Sequence, residues 1–200
     1  MTKDYAFLKA SNDFIRLVDD RLVPGVPNTK KIVFLDIDGV IDGYYTDERL
    51  RHDLTATANY LALKYHDDIY KTIRQNDLGA AYYNWNSVAL GRLQQLLYET
   101  RSEIVLHSDY CFGNSLEQLK ALFKLHGMDD YLIGKCNDKP KLERIKDYLE
   151  EYKDIIENYV IFDDNDKAHL EEFGEHFILT KNLLTNKNIK KAEKILEIVL

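Results

Sequence analysis

Residues 31–41 read KIVFLDIDGVI, an apolar run that ends in two aspartates flanking a single isoleucine, with a glycine directly after. Val, Ile and Phe favour strands, and a short apolar run bounded by a glycine suits the buried middle of a parallel sheet. A strand is predicted over 31–37, with Gly39 letting the backbone turn. Open α/β sheets place ligands at the C-terminal ends of their strands. Alternate side chains of a strand share a face, so Asp36 and Asp38 are expected to point into one pocket. Two carboxylates in a pocket repel each other unless one is protonated or a cation lies between them. Aspartate and glycine are also ordinary turn residues, so the weight of the motif depends on the rest of the chain.

Beyond this motif, strand and helix patterns alternate. Phe7, Leu8, Phe14, Ile15, Val18 and Leu22 recur at helical spacing and predict an amphipathic helix over 4–22, ended by the Pro and Gly residues of 24–28. Residues 43–84, rich in Tyr, His, Asp and Ala, read as a small helical insertion covering the strand end. Further helices are predicted at 87–99 (capped by Asn86 or Ser87), 115–126, 141–152, 167–173 and 189–200. Further strands are predicted at 103–107, 159–162 and 176–179. The expected fold class is α/β: a Rossmann-like parallel sheet flanked by helices, strand 31–37 near its centre, with a small helical cap insertion after that strand. The 200 residues suit a single domain, 1–200, with 43–84 as the cap insertion.

Charge and cysteine content narrow the function classes. A formal net charge of -7 disfavours a broad duplex-binding surface, which needs clustered Lys and Arg. Cys111 and Cys136 are too few for a disulfide scaffold and show no metal-ligand pairing, so reduced thiols are expected. The first residues lack an apolar signal core, and no apolar run approaches a membrane span. The expectation is a cytoplasmic protein with no membrane partner.

Four chain segments end where a parallel sheet would gather them. They are Asp36 with Asp38, then Ser108 after strand 103–107, then Lys139 and Lys141 around Pro140 at a helix start, then Asp163 with Asp164 after strand 159–162. The carboxylates of such a set need a cation. Hard oxygen ligands at a strand edge suit Mg²⁺, which takes one or two carboxylates together with substrate phosphate oxygens. A lysine and a serine hydroxyl suit a phosphoryl group. A carboxylate beside that phosphate can attack phosphorus and form an acyl phosphate. Asp166 is placed to help the metal through water, and His107 is read as a core histidine. Tyr44, Tyr45, His52 and His66 of the insertion are candidates for stacking on a substrate.

This ordered pattern resembles the haloacid dehalogenase (HAD) superfamily. The resemblance rests on Asp36-x-Asp38-Gly39-Val40, Ser108 after the second strand, a helix-start lysine, and Asp163-Asp164 after a later strand. It implies that Asp36 is the nucleophile and a Mg²⁺ ligand. Asp38 would be the acid and base, its backbone carbonyl also on the metal. Ser108 would hold the transferring phosphoryl group, Lys139 or Lys141 would offset its charge, and Asp163 or Asp164 would complete the metal shell. Phosphatases of this superfamily carry the second aspartate, so the resemblance implies a Mg²⁺-dependent phosphomonoester hydrolase working through an aspartyl phosphate. The layout is also similar to the HAD domains of bacterial RNA-repair-associated proteins, although residues 106–111, LHSDYC, lack that branch's Trp-Arg pair. The expected partner is a small phosphorylated metabolite or nucleotide, or a nucleic-acid phosphate end. The alternatives are a phosphotransferase of the same fold and a catalytically silent binding module. The intact Asp36/Asp38 pair argues against the second.

Overall fold

The computed structural model describes residues 29–43 and 47–197. The helix expected over 4–22, together with Tyr44 and Tyr45, lies outside the described residues. Strands β1 (Lys30–Leu35), β2 (Ser102–Leu106), β3 (Leu132–Lys135), β4 (Ile156–Asp163) and β5 (Phe177–Leu179) are all paired in parallel. Among the described residues they form one sheet in the order β3-β2-β1-β4-β5, which puts β1 at its centre. The unbroken apolar run of β1 now has its reason. Ile32 and Phe34 face one buried cluster with Val105, Ile145 and Ile161, while Val33 and Leu35 face a larger one. A strand covered on both faces has no polar side to present. Each such buried side chain contributes roughly 1.5–3 kcal/mol.

The covering helices are α1 (Leu54–Tyr65), α2 (Gln75–Gly79), α3 (Ser87–Thr100), α4 (Leu116–Lys124), α5 (Lys141–Glu151) and α6 (Asn186–Leu196). Buried residues of α3, α4 and α6 join the larger cluster, and Ile145 of α5 joins the smaller. Asn86, and not Ser87, caps α3: its Oδ1 accepts from the N–H groups of Val88 and Ala89. Capping boxes start α4 (Ser115 with Gln118) and α6 (Thr185 with Asn188), so α6 begins three residues before the predicted 189. Two expectations change. The helix predicted at 167–173 is a 3-10 stretch, Leu170–His176, with a kink at Gly174. Strand β3 was not expected, because four residues containing a glycine and a lysine carry little strand signal.

After β1 the chain turns at Gly39, whose φ of 68° favours glycine. Asp42 then bridges Trp85, and Asn86 N donates to Ile41 O at 2.8 Å. The stretch between Asp42 and Trp85 therefore leaves the sheet edge and returns to it at one place. It holds a 3-10 turn (Glu48–Arg51), α1, a second 3-10 turn (Asp68–Lys71), α2 and a π-helical turn (Ala80–Asn84). Thr57, Ala58, Leu61 and Ala62 are the buried residues of α1. Gly79 is tightly enclosed: a Cβ there would lie 2.7 Å from Leu54 Cδ2 and 3.1 Å from Arg49 Cβ. No helix among the described residues is long and apolar enough to cross a membrane.

Candidate active site

The parallel pairing aligns the C-terminal ends of β1, β2 and β4, since Leu35 is level with Leu106 on one side and Phe162 on the other. The residue after each end therefore lies on one edge. Asp36 follows β1, and its backbone N–H donates to Phe162 O at 3.0 Å. Its Oδ1 accepts from Ile37 N at 2.9 Å, and its Oδ2 accepts from Lys141 Nζ at 2.6 Å. The same ammonium donates to Asp163 Oδ2 at 2.7 Å. Asp36, Asp163 and Asp164 each offer one oxygen, and these atoms lie within 4.8 Å of one another. Such a set of hard oxygens fits a small divalent cation, with Lys141 covering part of the negative charge.

The two lysines separate cleanly. Lys141 opens α5 with its side chain mostly buried against Asp36 and Asp163. Lys139 is elsewhere: its ammonium pairs with Asp147 at 2.6 Å and its side chain is half exposed. Lys139 is therefore corrected out of the site, because Pro140 starts a helix whose first turn directs only the later lysine to the sheet edge. Asp163 and Asp164 both belong to the acid set, so they are not alternatives. Asp163 ends β4 fully buried, and Asn165 N donates to its Oδ1 at 2.7 Å. The carboxyl of Asp38 is not part of the three-acid set; the residue stands just before the Gly39 turn, partly open to solvent. Ser108 is buried and caps the 3-10 turn Asp109–Cys111 through its hydroxyl, which also helps to lower the pKa of Asp36.

The electrostatics divide the two acids of the first motif. Burial opposes the charge on Asp36, but Lys141, His107 and the Ser108 hydroxyl outweigh it and hold its pKa below the ordinary range. Burial and then the charge of Asp36 push Asp38 up. Burial and the charge of Asp36 push Asp164 up to about 6. His107 is fully buried, as expected of a core histidine, yet it also touches the site. Its Nε2 is 3.2 Å from Phe162 O, its Nδ1 is 3.5 Å from Asp163 Oδ2, and burial depresses its pKa.

Three neighbours were not anticipated from sequence. Arg144 of α5 is buried and donates to Lys139 O at 2.7 Å and His107 O at 2.8 Å, tying the helix start to the end of β2. Its signal was its place beside Ile145, on the inward face of an otherwise polar helix. Asp42 and Arg49 also act on Asp38 electrostatically, directly or through each other. Asp42 follows the apolar Val40-Ile41 pair, where an inward acid is unusual. Of the insertion's candidates, His52 stacks on Tyr83 with centroids 3.9 Å apart, and His66 ends α1 in a left-handed conformation.

Comparison with known proteins agrees with this geometry at the level of family. A family model described as "HAD domain in Swiss Army Knife RNA repair proteins" matches residues 32–188, from β1 into α6. No curated protein and no solved structure matches the chain.

Proposed function

The chain belongs to the family of HAD domains in Swiss Army Knife RNA repair proteins, and we propose that it acts as a Mg²⁺-dependent phosphomonoester hydrolase. The family membership supports a phosphatase-like function in the general sense. The observation that carries the finer reading is the gathering of Asp36, Asp163 and Asp164 oxygens within 4.8 Å of one another, with Lys141 Nζ 2.6 Å from Asp36; beside them the pKa of Asp38 is raised while that of Asp36 is lowered. Acids with separated roles are a mark of acid–base chemistry.

In the first step a carboxylate oxygen of Asp36 bonds to phosphorus. The ester P–O bond breaks, and Asp38 gives its proton to the departing oxygen. In the second step Asp38, now ionised, takes a proton from water. The water oxygen bonds to phosphorus and the Asp36–phosphorus link breaks, which restores both acids. Lys141 offsets charge on Asp36 and the phosphoryl oxygens, and the Ser108 hydroxyl donates to one of them. A Mg²⁺ held by Asp36, Asp163 and Asp164 would supply further positive charge toward the phosphoryl oxygens. Residues 43–84 act as a cap over this edge.

The test is turnover of an aryl phosphate with and without Mg²⁺. A panel of phosphorylated metabolites and of oligonucleotides with phosphorylated ends extends it, the latter because the family's description concerns RNA repair proteins. Wild-type protein is expected to release phosphate only with Mg²⁺. Asp36→Asn should lower the rate by about a thousandfold or more while leaving the circular dichroism spectrum unchanged. Activity retained in that variant refutes the mechanism. Phosphate delivered to an alcohol acceptor in place of water assigns the chain to phosphoryl transfer instead.

A further inference from the structure

Arg144 of α5 is only 4% exposed, yet its ion pairing among the described residues is loose. Asp109 Oδ1 lies 3.5 Å from its Nη2, and the Asp109 side chain is mostly exposed. Such a pair contributes little, while burying a charge is costly. An apolar side chain of similar volume would fill the space at less cost, so the guanidinium calls for a reason beyond packing. Its other partners supply one. Nε donates to Lys139 O at 2.7 Å, and Nη1 donates to His107 O at 2.8 Å. Lys139 is two residues before Lys141, and His107 directly precedes Ser108. The pairing of β2 with β3 ends at Leu106, so His107 O lies beyond the ladder and takes a side chain instead. The guanidinium carbon also sits over the Phe112 ring, 4.9 Å from its centroid, in the loop that follows Ser108. Lys141 and Arg144 are three residues apart on α5, so they share a face of the helix. A guanidinium is flat and rigid. Two carbonyls bonded to nitrogens of one fork are held at a fixed separation, and with them the segments that carry Lys141 and Ser108.

We propose that Arg144 is a positioning residue that sets the separation of Lys141 from Ser108, the cation and the hydroxyl that hold the phosphoryl group between them. The proposal rests on the phosphatase reading for the roles of those two groups. Asp36 follows β1, and Asp163 and Asp164 close β4; the hydrogen bonds of Arg144 go to neither place. The metal ligands should therefore stay put when Arg144 is lost, while the phosphoryl contacts drift. A misplacement of about 1 Å lowers a rate by up to about a hundredfold.

The experiment compares wild-type and Arg144→Ala protein in three readouts. They are Mg²⁺ affinity, affinity of the Mg²⁺-loaded protein for inorganic phosphate, and turnover of an aryl phosphate. Arg144→Ala is expected to lower kcat by about tenfold to a hundredfold and phosphate affinity by about tenfold. Mg²⁺ affinity should stay within about twofold of wild type. Millimolar guanidinium ion should restore phosphate affinity and kcat, entering by the cavity of about 250 Å³ that Arg144 lines with Tyr148 and Tyr152. Ammonium at the same concentration should not, because it lacks the fork. Arg144→Lys keeps the charge without the fork, so it should show the same split, and it carries the test where Arg144→Ala does not fold. Wild-type phosphate affinity and kcat in both variants overturn the proposal. So does a parallel loss of Mg²⁺ affinity that guanidinium leaves unrepaired, which makes Arg144 a support of the fold alone. Wild-type protein that turns over no aryl phosphate, yet shows the Arg144-dependent phosphate affinity, sinks the phosphatase reading and leaves the positioning role standing. Wild-type protein that binds no phosphate overturns both.

Discussion

Lys139 and Lys141 stand either side of one proline, and only the second reaches the acids. Spacing could not separate them, because both precede the same helical pattern and a helix start admits either direction. The acid pair Asp163-Asp164 was ambiguous for a related reason. Strand alternation sends neighbours to opposite faces, but β4 stops at Asp163 and the chain turns, so both acids reach one cluster. Asp164 offers a measurable consequence. Its pKa is raised to about 6 by burial first and by the charge of Asp36 next. A raised carboxyl is neutral below that pH and ionised above it, and only the ionised form serves a cation. Mg²⁺ affinity, followed by calorimetry, is therefore expected to fall as pH drops through about 6. Asp164→Asn should weaken binding at pH 8 by roughly tenfold to a hundredfold and flatten the acid limb. A wild-type affinity constant across that range would remove Asp164 from the metal set.

The turn after β1 is held by three hydrogen bonds, one within it and two from the stretch between β5 and α6, and that is how the sheet edge fixes Asp38. Gly39 N donates to Asp42 O, Leu184 N donates to Val40 O, and the Thr180 hydroxyl, just past β5, donates to Gly39 O at 2.8 Å. Thr180→Val keeps the shape but leaves a carbonyl unmatched at a buried glycine, a cost of about 1–3 kcal/mol. Thermal denaturation should show a melting point lower by roughly 2–10 °C, and kcat should fall severalfold while Mg²⁺ affinity holds. An unchanged kcat would mean that the turn is positioned without Thr180. The elements of this edge were legible because β1, β2 and β4 announce themselves by apolar runs ending in polar residues. The insertion was not. Its α1 buries Thr57, Ala58 and Ala62 with a single leucine, and its other pieces are the five-residue α2 and single 3-10 or π-helical turns, all too short to carry a lasting period. Strand β3 failed for the opposite reason: it is held by pairing with β2 and not by its own composition.

The motif order pointed to a common site because a parallel sheet places every strand's C-terminal end on one edge, whatever the intervening chain does. That edge exists only in the folded chain. Asp36, Asp163, Asp164 and Lys141 come from three places far apart in sequence, so an unfolded chain cannot offer the same donor set. A ligand that binds only the folded state raises its stability by mass action. With Mg²⁺ at a hundred times its dissociation constant the gain is about 2.7 kcal/mol. For a chain of this size that corresponds to a melting point higher by roughly 5–10 °C. Charge alone offers a competing cause, since a chain with a net charge of -7 gains from any salt that screens its self-repulsion. The two causes separate in one series of thermal scans. Site binding makes the rise saturate with Mg²⁺, disappear in Asp163→Asn, and fail to appear with NaCl at matched ionic strength. General screening gives a rise that NaCl reproduces and that Asp163→Asn retains, and that outcome would refute a resident Mg²⁺ at this edge.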